Sequence, residues 1–277
     1  MSLGSDLPRW LAVGVFALSA VGSSAAPLYF NGFETDTSGW PAGATRVASG
    51  TGGITSATGS YHATVAAGAY TNFGGYNYGA GNAVPTAFQP YRTAVDIYLD
   101  VGTSAANDTR FDYTSAINNS SGTHLRDFAF NIGFYDDATG PGAGTDRFVV
   151  SASNNTGRSN SFPKNPARDP FAISATGWYT FQHTFYDNGG VLAVDLEIFD
   201  ASDALLADWT LSSASDVISG VGGNRYGWFP NIESGLAPLA IDNSLLEITP
   251  RAVPEPATLL LVGSGLVALS VRRRRRL

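Results

Sequence analysis

Apolar and polar residues alternate along most of the chain between Leu28 and Ile248. Val95, Ile97, Leu99 and Val101 fall on one face of an extended segment, and Asp96, Tyr98 and Asp100 on the other. Phe128, Phe130, Ile132 and Phe134 alternate in the same way with Asp127, Ala129, Asn131 and Gly133. Tyr179, Phe181, His183 and Phe185 form a third stripe, and Leu192, Val194, Leu196 and Ile198 a fourth. Period two with one apolar face is the pattern of antiparallel strands laid on a single core. Between the last two stripes, Asp187-Asn188-Gly189-Gly190 predicts a tight hairpin turn.

Further strands are predicted over 28–33, 45–49, 61–66, 110–114, 147–153, 205–211, 226–229 and 239–248. About twelve short strands in one body predict an all-β fold, a two-sheet antiparallel β-sandwich of jelly-roll type. No internal repeat is visible. Turn-rich residues over 136–146 and 154–170 predict long surface loops.

Composition narrows the chemistry. The 277 residues are 44% hydrophobic and only 14% charged, with 32 Gly and 14 Pro, which suits a folded, turn-rich β protein. There is no Cys, so disulfides, thiolate metal sites and Cys nucleophiles are excluded. Lys164 follows Pro163 with no Gly-rich loop before it, which removes a P-loop. His62, His124 and His183 form no HExxH motif, and no Ser stands in G-x-S-x-G. His183 lies on an apolar strand face and reads as a core residue.

The formal net charge of −7 understates the acidity of the body. Five of the 16 basic residues are the terminal run Arg272–Arg276. Without that run and without residues 1–25, the remainder carries about −12, which repels nucleic acid and anionic lipid.

The two ends read as targeting segments. Leu11–Val21 is an apolar run preceded by Arg9 and followed by small residues, so 1–25 is expected to be a signal peptide with an N-terminal signal helix. Residues 26–252 form the β-sandwich body, and 253–277 a tail. In the tail, Pro254-Glu255-Pro256 precede an apolar run over 257–271, and Arg272, Arg273, Arg274, Arg275 and Arg276 follow. The run is about 22 Å long as a helix, a short C-terminal transmembrane helix that snorkelling Arg side chains would complete. The Arg run would stop in the cytoplasm, leaving the body outside in an inner-membrane-anchored precursor.

This three-part tail closely resembles the PEP-CTERM sorting signal of Gram-negative bacteria. The resemblance implies recognition and cleavage near Pro254, Glu255 and Pro256 by an exosortase-type membrane enzyme. It also implies a place at the cell surface among exported polysaccharide and biofilm matrix.

Two shorter segments resemble the first and last strands of lectin-like and carbohydrate-binding jelly rolls. They are Phe33-Glu34-Thr35-Asp36…Gly39-Trp40 and Leu239-Ala240-Ile241-Asp242-Asn243. That resemblance implies a structural Ca²⁺ at Glu34 and Asp242, although Asn243 stands where a second acid is expected.

Three constellations bear on function. Asp195 and Glu197 share one strand face, at a spacing that side-chain rotation could bring to that of a glycosidase pair, or they belong to a solvated outer face. Asp136, Asp137 and Asp146 bracket a Gly-rich loop whose carbonyls could hold Ca²⁺, or the loop is a mobile acidic one. The aromatic residues Tyr70, Phe73, Tyr76, Tyr78, Trp178, Trp209 and Phe229 are either core or platforms for sugar rings. Arg225, Tyr226 and Trp228, in a Gly-rich stretch, are the sugar-binding candidates. The expected protein is an exported, non-enzymatic surface protein that binds extracellular polysaccharide. A purely structural or adhesive matrix protein is the first alternative, and a glycan-active hydrolase or lyase the second.

Overall fold

The computed structural model describes residues 27–71, 88–154, 163–236 and 238–248, without the side chains of 223–226. Both targeting segments, 1–25 and 253–277, lie outside the described residues, as do Phe73, Tyr76 and Tyr78. Among the described residues no helix is long and apolar enough to cross a membrane.

Among the described residues, thirteen strands form one antiparallel sheet. They are β1 (Pro27–Asn31), β2 (Ala42–Ala48), β3 (Tyr61–Thr71), β4 (Tyr91–Leu99), β5 (Thr109–Asn119), β6 (His124–Tyr135) and β7 (Arg147–Asn154). Then come β8 (Phe171–Ile173), β9 (Gly177–Asn188), β10 (Val191–Asp200), β11 (Leu205–Val217), β12 (Val221–Ile232) and β13 (Leu239–Ile248). The strand order is β11-β10-β9-β4-β13-β3-β12-β5-β6-β7-β8, with β1 added to β13 and β2 to β3.

The sheet folds over on itself, so that its two arms face one another. Phe130 on β6 meets Phe181 on β9 edge-on with centroids 5.0 Å apart, and Phe128 meets Phe185 at 5.5 Å. The four predicted stripes supply this core: Val95, Ile97, Leu99, Phe128, Phe130, Ile132, Phe181, Phe185, Leu192, Val194, Leu196 and Ile198 are all fully buried. His183 is buried with them. Its Nε2 lies 3.0 Å from the Phe128 carbonyl across the core, and burial pushes its pKa down to about 3, so the ring is neutral.

The expectation of two separate sheets needs one correction. β12 pairs with β3 at Gly227 and Trp228 and with β5 along most of its length, so the arms are continuous. Two bulges bend β12, one between Val221 and Arg225 and one between Trp228 and Asn231. A side chain at Gly222 would meet the Asn119 carbonyl at 2.4 Å, so close backbone approach requires glycine there. Residue periodicity reports which face is buried; it does not report which strands are neighbours.

At the far side the arms meet through side chains. Trp209 on β11 donates from Nε1 to the carbonyls of Arg168 and Asp169, and Arg126 on β6 pairs with Asp216 on β11. The hairpin predicted at Gly189-Gly190 is present as a two-residue loop, both glycines at positive φ, with Asp187 accepting from the Gly190 N–H.

Candidate functional site

The outward face of the β13-β4-β9-β10 arm is set by parity. Since odd residues of β4 and β9 and even residues of β10 point inward, Arg92, Ala94, Asp96, Thr180, Gln182, Glu197 and Phe199 point outward. Register aligns them in rows. Phe30, Leu245, Ala94, Gln182 and Glu197 follow one another across β1, β13, β4, β9 and β10. Asp242, Asp96, Thr180 and Phe199 form the adjoining row.

These rows floor an open groove of about 400 Å³ lined by Phe30, Arg92, Asp96, Thr180, Gln182, Phe199, Asp203 and Asn243, among others. Phe30 is 57% exposed, as is Leu28 on the same strand. The two phenylalanines sit at opposite ends, four strand steps apart, or about 19 Å along the sheet.

A polar chain runs across the floor. Arg92 pairs with Glu247 at 2.6 Å and donates to Gln182 Oε1 at 3.0 Å. Gln182 in turn donates to Glu197 Oε2 at 2.7 Å. Asp96 accepts from Thr180 Oγ1 at 2.6 Å and from Asn243 Nδ2 at 2.7 Å. Burial raises the Asp96 pKa, and the nearby Asp203 carboxylate adds to the rise. Asp203 sits at the groove lip in a left-handed conformation, on a turn that Asp200 holds by accepting from Ser202 and Ala204 N–H groups.

Behind the floor, the opening and closing segments meet. Glu34 Oε1 accepts from the Ser60 and Tyr61 N–H groups, and Asp242 accepts from the Thr58 and Asn243 N–H groups. Both acids therefore grip the one segment that precedes β3. Burial, with Asp96 and Glu34 nearby, pushes the Asp242 pKa up to about 6. Glu34 Oε1 and both Asp242 carboxylate oxygens thus accept backbone N–H groups. Among the described residues no group of three or more His, Asp or Glu is placed to hold a metal ion. Asn243 has φ 47°, a conformation Asn tolerates better than most residues, and its amide donates to Asp96, which an aspartate could not do.

The rest of the opening motif is architectural. Phe33 is fully buried at φ 58°, its N–H held by Asn31 Oδ1 at 2.7 Å. Arg46 donates to the carbonyls of Phe33 and Glu34 and lies over the Tyr61 ring. Trp40 is buried and stacks on Phe229 at 6.1 Å.

The other candidates resolve differently. Asp195 and Glu197 do share the outer face. Each is held by neutral donors: Asp195 by Tyr186 and Thr210, Glu197 by Gln182 and Thr184. The loop of Asp136, Asp137 and Asp146 already contains a cation, the fully buried guanidinium of Arg147. Arg147 donates to the carbonyls of Tyr135, Asp137, Thr139, Pro141 and Thr145 and to the Asp137 carboxylate at 3.1 Å. Lys164 adds a second contact to Asp137 at 2.5 Å, holding that carboxyl well below the usual range.

Of the predicted sugar-binding residues, Trp228 is half-buried on β12 beside the fully buried Phe229, while the side chains of Arg225 and Tyr226 lie outside the description. β12 lies in the other part of the sheet from the groove. Trp178 packs edge-on to Tyr98 and donates to the Thr55 carbonyl, and Trp209 packs on Phe130. The groove residues were missed because each is an ordinary outward position. Arg92, Asp96, Thr180 and Gln182 are legible as outward in the alternation, but Phe30 and Phe199 join them only through register.

Comparison with known proteins identifies the tail. Residues 252–276 match the family described as the PEP-CTERM protein-sorting motif. The tail is a PEP-CTERM sorting signal. A PEP-CTERM signal indicates export and sorting to the cell surface and implies processing by an exosortase, a membrane enzyme. No curated protein matches the chain. Among solved structures, the CBM2 module of the evolved Dit protein of Lactobacillus casei BL23 phage J-1 aligns at TM-score 0.40 and 12% identity, covering 79% of this chain and 94% of that one. The binding domain of botulinum neurotoxin serotype G aligns at TM-score 0.39 and 11% identity, covering 86% and 51%. An alginate lyase from Alteromonas sp. 272 aligns at 0.29 and 10%, covering 82% and 98%. At these scores the likeness extends to neither ligand nor activity.

Proposed function

We propose that this PEP-CTERM protein is exported, held briefly in the inner membrane by its tail, and released to the cell surface, where its jelly-roll-like body binds polysaccharide without cleaving it. The groove carries the reading. Its ends offer the rings of Phe30 and Phe199 to the apolar faces of sugar rings, and its floor offers Arg92, Gln182, Thr180 and Asn243 to hydroxyl groups. A shallow, open trough across several strands suits a chain that extends beyond it at both ends. Binding is favoured over cleavage because the floor carboxylates are engaged, Asp96 at both oxygens by Thr180 and Asn243 and Glu197 by Gln182 and Thr184.

The test is retention of the full-length chain on a panel of insoluble and immobilised polysaccharides. Binding to at least one polymer, lost at least ten-fold in Phe30→Ala and in Phe199→Ala, supports the groove; removal of a stacking ring costs on the order of 1–2 kcal/mol. Binding that survives both substitutions, or release of soluble oligosaccharide from the polymer, overturns the proposal.

A further inference from the structure

We infer that the groove selects a polysaccharide bearing free amino groups, an aminoglycan, over neutral or uronate polymers. This rests on the proposed glycan-binding role of the same groove and goes further by naming the class of glycan.

The reason is the charge of the surface in which the groove is cut. The six strands around the groove, β1, β4, β9, β10, β11 and β13, contain one Lys or Arg, Arg92, and one His, the buried His183. That guanidinium is already paired with Glu247. Against it the outward face sets Asp96, Asp195, Glu197 and Asp208, together with Asp203 at the groove lip. Asp203 and Asp208 are exposed, and among the described residues neither forms an ion pair.

The charge at the lip is felt inside the groove. The Asp96 carboxyl is raised by burial and further by Asp203, so the site already resists another negative charge. A uronate carboxylate entering between Phe30 and Phe199 would meet that same repulsion. An ammonium group would relieve it, and could donate to Asp203 at the lip while its sugar ring lies on a phenylalanine. A neutral sugar would gain the stacking and hydroxyl contacts but not the charge term. Phe30 and Phe199 fix the position; the carboxylates choose the charge.

The test compares three probes on the full-length chain at mildly acidic pH, where exposed carboxylates and amines are both charged: a partly deacetylated β-1,4-linked glucosamine polymer, the same polymer after complete N-acetylation, and a polyuronate. The aminated polymer should bind about ten-fold more tightly than its acetylated form, and the polyuronate should not bind. Raising salt from about 0.05 M to about 0.5 M should weaken the aminated complex by about ten-fold, since such exposed charges are screened over that range. The double variant Asp203→Asn/Asp208→Asn, which alters exposed side chains only, should lose most of the preference for the aminated form; an unchanged preference overturns the inference.

Equal binding of aminated and acetylated polymers, with loss in Phe30→Ala, overturns the charge selection and leaves the glycan-binding groove standing. Preference for the polyuronate overturns it as well. Aminated-polymer binding that persists in Phe30→Ala marks diffuse ion exchange over the acidic surface and overturns the inference. Absence of binding to any polymer overturns both this inference and the reading on which it rests.

Discussion

Asn243 Nδ2 donates to Asp96 Oδ2 at 2.7 Å, and this bond joins the bulged segment of the last strand to the floor of the groove. It also fixes the chemistry of position 243: an amide is required because the facing group is a half-buried carboxylate. Asn243→Asp should therefore destabilise the protein by about 2 kcal/mol at neutral pH, the scale of a lost hydrogen bond to a charged group. Urea denaturation of the two chains measures the difference, and an unchanged midpoint would contradict it.

The neighbouring Asp242 gives a pH dependence of definite sign. Its folded pKa, about 6, lies above the ordinary carboxylate value, so the folded state takes up a proton that the unfolded state does not. This ionisation destabilises the fold fully above about pH 6, and the penalty fades as pH falls toward about 4. Asp96, also raised, acts in the same direction. The melting temperature of the wild-type chain should rise between pH 7 and pH 5, and Asp242→Asn should flatten that rise. A steeper rise in the variant would refute the assignment.

Arg147 is the largest fully buried polar side chain, and it fills a loop of carbonyl groups that would otherwise face one another. Arg147→Met should cost about 3 kcal/mol, because the acceptors it serves lose their donor while partly buried. Equilibrium unfolding measures the loss. Arg147→Lys should recover only part of it, since an ammonium has three donors and lacks the planar fork.

Divalent cations should leave the melting curve unmoved. The acids of the opening and closing segments accept backbone N–H groups, and the Gly-rich loop holds its own guanidinium. Differential scanning calorimetry in excess Ca²⁺ and in excess EDTA should superimpose; a shift of several degrees would show a bound ion.

The sorting tail makes a separate prediction about processing. Replacing Pro254, Glu255 and Pro256 together with Gly and Ser should leave the full-length precursor in the inner membrane of a host with the processing enzyme. Immunoblotting of membrane and surface fractions reads this, and unchanged maturation would mean the three residues are a passive spacer.

Much of the fold is legible in the sequence. The alternation in 92–101, 128–134, 179–185 and 192–198 marks the core face, and the Gly189-Gly190 turn marks its hairpin, because both are local properties. The tail is legible for the same reason, being read as a linear segment. The sequence also pointed to Glu34 and Asp242, which the resemblance cast as metal ligands; that both grip the backbone over 58–61 is a feature only the fold displays.

What the alternation determined was inside against outside, since burying apolar side chains on one face of each strand requires only that strand's own pattern. What only the tertiary structure decided was adjacency. Phe30 and Phe199 are far apart in sequence, and they enclose Asp96 and Gln182 because β1, β13, β4, β9 and β10 pair in that order and register. The same holds for Arg147, whose charge is satisfied by carbonyls that a single folded loop brings to it. Pairing between distant strands is a collective choice of the whole core and its bulges, so no single stretch of the sequence encodes it.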